Sequence, residues 1–303
     1  MAARTAGERG SRVAITGAAG SLAGDILPGL RARGHRIVGI DRLDRPATAA
    51  TEGVEWLRCD LGEADRLREA FTGCDAVVHL AGIPLESDWA TISRVNIDGT
   101  QAVLEAARLT GAGRVVLASS IHAAGFAAVP EDGTPVPDDV PARPNTFYGV
   151  SKAALEALGS LYHDRYGLDV VCLRIASRFA RPQGERMLAT WLSPPDAVRL
   201  VDAALRTEAP GFRIVWGVSR NTRGYFSRAG GDAIGFRPED DAEAYAEELL
   251  ARAERDPSRS AADWDRRYLG GVFSSPEPPM FECSKDKGAA APPQSPPSQP
   301  RRV

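Results

Sequence analysis

Hydrophobic positions along the chain follow two alternating rhythms. Short, continuous runs rich in β-branched residues recur at RVAITG (12–17), HRIVGID (35–41), VEWLRCD (54–60), DAVVHLAG (75–82), GRVVLASS (113–120) and DVVCLRIA (169–176). Each is too short for a helix and too uniformly apolar for a half-wet strand, which predicts strands buried on both faces. Between them lie SLAGDILPGLRARG (21–34), EADRLREAF (63–71), the segment from Trp89 to Leu109, and FYGVSKAALEALGSLYHDRYG (147–167). Their apolar residues recur every third or fourth position, the helical period. Strand and helix in alternation predict an α/β fold, a Rossmann-like doubly wound parallel sheet covered on both faces. Ligands of such sheets bind at the carboxyl ends of the strands.

After Ala176 the rhythm breaks into a loop containing RPQGERM (181–187), a helix in PPDAVRLVDAALR (194–206), a strand in FRIVWGVS (212–219) and a last helix in PEDDAEAYAEELLARAE (238–254). These pieces are too few for an independent domain. They predict a small C-terminal substrate lobe, mainly residues 177–255, over one edge of the sheet. At roughly 150 residues per domain the 303-residue length allows two domains. The rhythm reduces this to one core over residues 12–275 with its lobe. Eight of the 22 prolines fall in residues 276–303. Ordering costs roughly 1 to 2 kcal/mol per residue, and that stretch has too little apolar surface to offset it, so a disordered Pro-rich tail is expected there and a flexible start over residues 1–11.

Composition narrows the function classes. With 37 Lys and Arg against 40 Asp and Glu the net charge is −3, which gives no basic field for nucleic acid. No stretch approaches the roughly 18 apolar residues of a membrane span, and the N-terminus has no apolar signal region, so a cytoplasmic protein is expected. Cys59, Cys74, Cys172 and Cys283 lie far apart and form no close pair. They are expected to be free thiols, with no metal site.

Candidate chemistry begins where the first strand ends. Gly17-Ala18-Ala19-Gly20-Ser21-Leu22-Ala23 follows it and opens a helix at once. Glycines at this turn let backbone approach a pyrophosphate, and the helix N-terminus offers unpaired N–H groups and a positive dipole end. Gly17, Gly20, Ser21 and Leu22 are therefore candidate cofactor residues. Asp41 ends the second strand 21 residues past Gly20, where a carboxylate can bind the adenosine ribose hydroxyls. It would also repel a 2′-phosphate, by about 4 kcal/mol at 4 Å and an effective dielectric of 20, which predicts NAD over NADP. Arg42 and Arg45 follow closely and would soften that preference.

Tyr148 and Lys152 stand at i and i+4 at the start of the fourth predicted helix and share one face of it. A phenol titrates near 10, and making it a base near pH 7 means lowering that by roughly 3 units. A neighbouring ammonium and a cationic nicotinamide supply stabilisation of that sign. Ser119-Ser120 ends the fifth strand, where a hydroxyl can meet the reacting oxygen.

Together Gly17, Asp41, Ser120, Tyr148 and Lys152 resemble the short-chain dehydrogenase/reductase superfamily in its extended branch, the NAD-dependent epimerases, dehydratases and dehydrogenases. Val95-Asn96-Ile97-Asp98-Gly99-Thr100 is similar to a helix motif of that branch, and Cys59-Asp60-Leu61 to its adenine-contacting Asp-Leu turn. The resemblance implies cofactor contacts at Asp60, Leu61 and Asn96. It makes Tyr148 the general base or acid, gives Lys152 the tasks of lowering its pKa and binding the nicotinamide ribose, and leaves Ser120 to orient the substrate hydroxyl. It also implies a homo-oligomer joined through the long helices.

The stretch Arg186-Met187-Leu188-Ala189-Thr190-Trp191-Leu192-Ser193 resembles the uronate dehydrogenases more narrowly, with further matches at Leu173 to Ser177, His122, Val215 to Gly217 and Gly235 to Pro238. That family oxidises the anomeric hydroxyl of galacturonate or glucuronate to an aldarolactone with NAD. The likeness implies that Arg186 holds the sugar carboxylate, as a bidentate guanidinium does well, and that His122 and Ser177 contact the sugar. Pro84 and Ile121 stand where that family carries Ser and Asn, removing two polar groups worth roughly 0.5 to 1.5 kcal/mol each. The expected activity is NAD-dependent oxidation of a sugar-acid hydroxyl. A nucleotide-sugar epimerase or dehydratase, and a non-catalytic NAD(P)-binding regulator, are the alternatives.

Overall fold

A computed structural model of the chain describes residues 10–255 and 263–280. Cys283 lies outside the described residues, as do residues 1–9 of the expected flexible start (1–11) and residues 281–303 of the expected Pro-rich tail (276–303). Seven strands form one parallel sheet: β1 (Arg12–Thr16), β2 (Arg36–Asp41), β3 (Glu55–Arg58), β4 (Ala76–His79), β5 (Arg114–Ser120), β6 (Asp169–Ile175), and the last, Phe212–Gly217. The spatial order is β3-β2-β1-β4-β5-β6 and then that last strand. The order reverses between β1 and β4, and this opens a crevice at the carboxyl ends of the strands.

Alternation along each strand divides the core in two. Val13 and Ile15 of β1, Val171 and Leu173 of β6 point to one face, with Ile26, Leu27 and Leu30 of helix α1 (Ser21–Ala32). Ala14 of β1 and Val170 and Cys172 of β6 point to the other, with Phe71 of α2 (Ala64–Phe71) and Leu155 and Tyr162 of the long helix Phe147–Tyr166. Burying each large side chain is worth roughly 1.5 to 3 kcal/mol, which holds both helical layers onto the sheet. The fold expected from the apolar rhythm is the fold observed.

Several local departures bear on the crevice. The single helix expected from Trp89 to Leu109 is a short α3 (Trp89–Ile92), a π-helical turn over Ser93–Asp98, and α4 (Gly99–Thr110). The wide turn points Asn96 inward, where Nδ2 donates to Ile83 O at 3.1 Å and Ser151 Oγ at 3.0 Å, a use of π-turns common beside functional sites. The long helix Phe147–Tyr166 is α5. Beyond β6 come a two-residue strand β7 (Ser177–Arg178), α6 (Met187–Thr190) and β8 (Trp191–Leu192), with β7 and β8 paired in parallel. Such short strands carry no period to read. Then follow α7 (Pro194–Arg206), β9 (Phe212–Gly217), α8 (Ala229–Ala233), a 3₁₀ turn Ala242–Tyr245 and α9 (Ala246–Arg255). Asp241 caps that turn by accepting from Glu243 N at 2.9 Å, which divides the last expected helix in two.

The chain returns with α10 (Asp263–Arg267) and a 3₁₀ turn Gly271–Ser274. Leu269 is fully buried in a cluster with Ile121, Trp216 and Phe226, and Met280 pairs with Glu86. This returning segment crosses the mouth of the crevice.

Candidate active site

The glycine turn is shaped for close approach. Gly17 has φ +71°, and a Cβ there would stand 2.6 Å from Ala81 N, so only glycine fits. Gly20 caps α1 without any side-chain partner, and the first turn of α1 carries no acidic residue. The leading N–H groups of a 12-residue helix are thus left for an anion, beside Ser21 and Leu22. Asp41 lies at the tip of β2, where Oδ2 accepts from Ala19 N at 3.0 Å and Oδ1 from Leu43 N at 3.0 Å. Asp60 turns the chain after β3 by accepting from Gly62 N at 2.9 Å, and Leu61 packs on Gly99 at the start of α4. An uncapped helix end, a cradle no Cβ could share and a carboxylate at the second strand tip fit a dinucleotide. NAD accordingly suits the residues present.

Arg178 enters this region from β7. Its guanidinium pairs with Asp25 and donates to Ser21 Oγ at 2.8 Å, tying the lobe to the head of α1.

Across the crevice, α5 supplies Tyr148 and Lys152. Thr146 caps it, accepting from Gly149 N at 2.8 Å, and Glu86 accepts from the N–H groups of Phe147 and Tyr148. Lys152 Nζ donates to Ala118 O at 2.7 Å and stands 5.4 Å from the centre of the Tyr148 ring. Ser120 Oγ accepts from His122 N at 3.2 Å, and the hydroxyl is near enough to the Tyr148 phenol to favour its ionised form. Ser120, Tyr148 and Lys152 therefore converge. Behind them the buried Glu156 accepts from Ser119 Oγ at 2.6 Å and from Arg174 Nε and Nη2, each at 2.8 Å, which locks α5 to β5 and β6.

Electrostatics here differ from the sequence expectation. Burial pushes the Tyr148 phenol up to about 12, and the Ser120 hydroxyl only partly opposes this. Burial likewise draws Lys152 down to about 8 against the pull of Glu156. In the protein alone burial dominates the phenol, and the group opposing it is Ser120 rather than the neighbouring ammonium. His122 is drawn down to about 4, first by burial and then by Arg186, so it is a neutral imidazole at pH 7. Its Nδ1 faces Asn145 Oδ1 at 3.1 Å, and its ring meets Tyr148 at 5.8 Å and Phe273 at 4.8 Å between centroids.

Arg186 and Ser177 meet on the lobe side: Arg186 Nη1 lies 3.4 Å from Ser177 Oγ, which also pairs with Thr190 at 2.8 Å. Arg186 Nη2 donates to the Leu269 carbonyl of the returning segment. Asn96 holds the loop after β4 against α5. Ile121, at one of the two departures, is buried against Trp216 and Leu269, while Pro84 is exposed. No metal-binding cluster of His, Cys, Asp and Glu occurs among the described residues.

Sequence reading missed Glu86, Asn145 and Phe273. Thr146 carried a readable cap signal, a hydroxyl residue just before a periodic run. The other three are joined to the site only by tertiary packing.

Fold and site together define a nicotinamide-dependent oxidoreductase of CH–OH groups. The profile of the NAD dependent epimerase/dehydratase family matches residues 13–211, and the chain belongs to that family. It is 36% identical over 275 residues to the uronate dehydrogenase of Agrobacterium fabrum, covering 90% of this chain and 99% of that protein. It is 34% identical over 268 residues to that of Pseudomonas syringae pv. tomato, covering 88% and 94%. A crystal structure of a uronate dehydrogenase mutant from Agrobacterium tumefaciens, complexed with NAD, superposes with a TM-score of 0.80 at 33% identity, covering 90% of this chain and 99% of that one. The protein is an NAD-dependent dehydrogenase.

Proposed function

We propose that the protein oxidises the anomeric hydroxyl of a hexuronate, galacturonate or glucuronate, to the aldarolactone. The observation that carries this reading is Arg186, a guanidinium beside Ser177 and near enough to depress the titration of His122, whose ring in turn meets that of Tyr148. A guanidinium there selects a substrate with a carboxylate. Ser120 orients the anomeric hydroxyl, and Tyr148 takes its proton as the C–H bond breaks. Lys152 holds positive charge behind the phenol ring and binds the cofactor ribose. Bound NAD supplies the hydride acceptor and a second positive charge, the sign needed to draw the Tyr148 phenol down. Gly17, Gly20, Ser21 and Leu22 bind the pyrophosphate; Asp41 takes the adenosine ribose; Asp60 and Leu61 border the adenine. Asn96 positions the loop above them. His122, neutral, is available as a hydrogen-bonding partner of the sugar.

The test is NADH absorbance with galacturonate, glucuronate, galactose, glucose and nucleotide sugars. NADH formation with the uronates, fastest among the panel, is the expected result. Faster oxidation of the neutral aldoses, or nucleotide-sugar conversion without net NADH, would overturn it.

A further inference from the structure

A cavity of about 610 Å³ is walled by Arg186, Tyr225, Asp265, Gly270 and Phe273. The Phe273 ring also packs on His122. Two donors in this wall are buried without a hydrogen-bond partner among the described residues: Tyr225 Oη and Arg186 Nε. A buried orphan donor costs roughly 1 to 3 kcal/mol, and two of them beside one cavity call for a common acceptor. Both side chains line this one cavity, and the charges of Arg186 and Asp265 reach the Tyr225 phenol.

The chain offers an incomplete substitute. Asp265 Oδ1 comes to 3.8 Å from Arg186 Nε, too far for a hydrogen bond, because it also accepts from Val272 N at 3.0 Å. A carboxylate is thus brought towards Arg186 without reaching hydrogen-bond distance of its Nε. Tyr225 is held ready for a ligand: its carbonyl accepts from Val136 N at 2.8 Å and its ring packs on Phe226 at 4.6 Å.

We infer that Tyr225 is a second carboxylate-binding residue, whose hydroxyl donates with Arg186 Nε to the acid group of the substrate. The inference rests on the sugar-acid reading above. It adds a neutral donor to the guanidinium, so the site holds a carboxylate side-on and discriminates against the matching aldose, which would leave both donors orphaned.

Calorimetric titration tests this on the catalytically silent Tyr148→Phe protein loaded with NAD, with galacturonate and galactose as probes. Adding Tyr225→Phe removes one hydroxyl and no bulk. Galacturonate binding should weaken about ten-fold while galactose binding stays the same. The melting temperature of the unliganded protein should hold or rise, because an orphaned group is removed. Equal weakening of both sugars, or no weakening of galacturonate, overturns the inference. If the silent protein binds galacturonate in a Tyr225-dependent way but the unmutated enzyme makes no NADH from it, the inference stands and the proposed reaction falls. Galacturonate bound no more tightly than galactose by the silent parent overturns both.

Discussion

The carboxylate of Glu86 caps the helix that carries Tyr148, accepting from Tyr148 N at 2.9 Å and Phe147 N at 3.1 Å. Glu86 is buried, so its charge is held by the positive end of α5 rather than by water. The cap sets where the phenol stands relative to Ser120. Glu86→Ala should cost roughly 1 to 3 kcal/mol of stability by orphaning two N–H groups, and displacement of the phenol should lower kcat by about ten- to a hundred-fold. Glu86→Gln, which keeps one acceptor, should fall between. Melting curves and steady-state rates check this; an unchanged kcat in the alanine variant would remove Glu86 from the positioning role.

Tyr148→Phe should abolish nearly all turnover while leaving NAD affinity in place, as read by fluorescence titration. Because burial holds the phenol near 12 in the protein alone, kcat/KM should rise with pH above neutrality. Lys152→Met removes the ammonium that favours phenolate, so the rising limb should move to higher pH. A limb that stays in place would show that Lys152 binds ribose without acting on the phenol.

Substitution of Asp41 tests its proposed part in cofactor choice. Asp41→Asn keeps an oxygen for the Ala19 or Leu43 N–H but loses the charge that repels a 2′-phosphate. The ratio of kcat/KM for NADP over NAD should rise at least about ten-fold. A ratio that does not change would mean that Arg42 and Arg45 already set the balance.

Acid should destabilise the fold through His79. Its ring is buried between Thr16 Oγ1 at 2.7 Å and Thr100 Oγ1 at 3.2 Å, and burial, aided by Lys152, draws it from 6.5 to about 3. The unfolded chain binds this proton and the folded one does not, so the associated stability is complete above 6.5. It is lost as pH falls from 6.5 towards 3, by about 1.4 kcal/mol per unit. His122, drawn down to about 4, acts in the same direction over a narrower window. His79→Gln should flatten the slope of stability against pH below 6.5 in urea titrations, even if it lowers stability at pH 7. An unaltered slope would assign the acid loss elsewhere.

The sheet was legible because its signal is local. Each of the seven sheet strands falls inside a run whose composition alone marks it, and the alternation with amphipathic helices admits one architecture. The glycine turn, Asp41 at the second strand tip and the Tyr148–Lys152 pair were readable for the same reason. Their chemistry depends on neighbours a few residues away, and parallel strands bring their carboxyl ends to one edge.

The short β7–β8 pair, the π-helical turn at Asn96 and the returning segment were not legible. Two paired residues carry no period, and Asn96 turns inward to partners at Ile83 and Ser151 that no pattern near it announces. Glu86 reaches 62 positions along the chain to cap Tyr148, and Leu269 reaches 83 to take Arg186. By itself the sequence determined the fold class and singled out the glycine turn and the Tyr148–Lys152 pair as candidates. Only the tertiary structure decided the state of those groups: how far burial moves the Tyr148 phenol and Lys152, which acceptors hold Arg186, and that Tyr225 lines the same cavity with its hydroxyl unpaired among the described residues. Desolvation and hydrogen-bond satisfaction depend on everything packed around a group, and most of what surrounds these residues comes from distant parts of the chain.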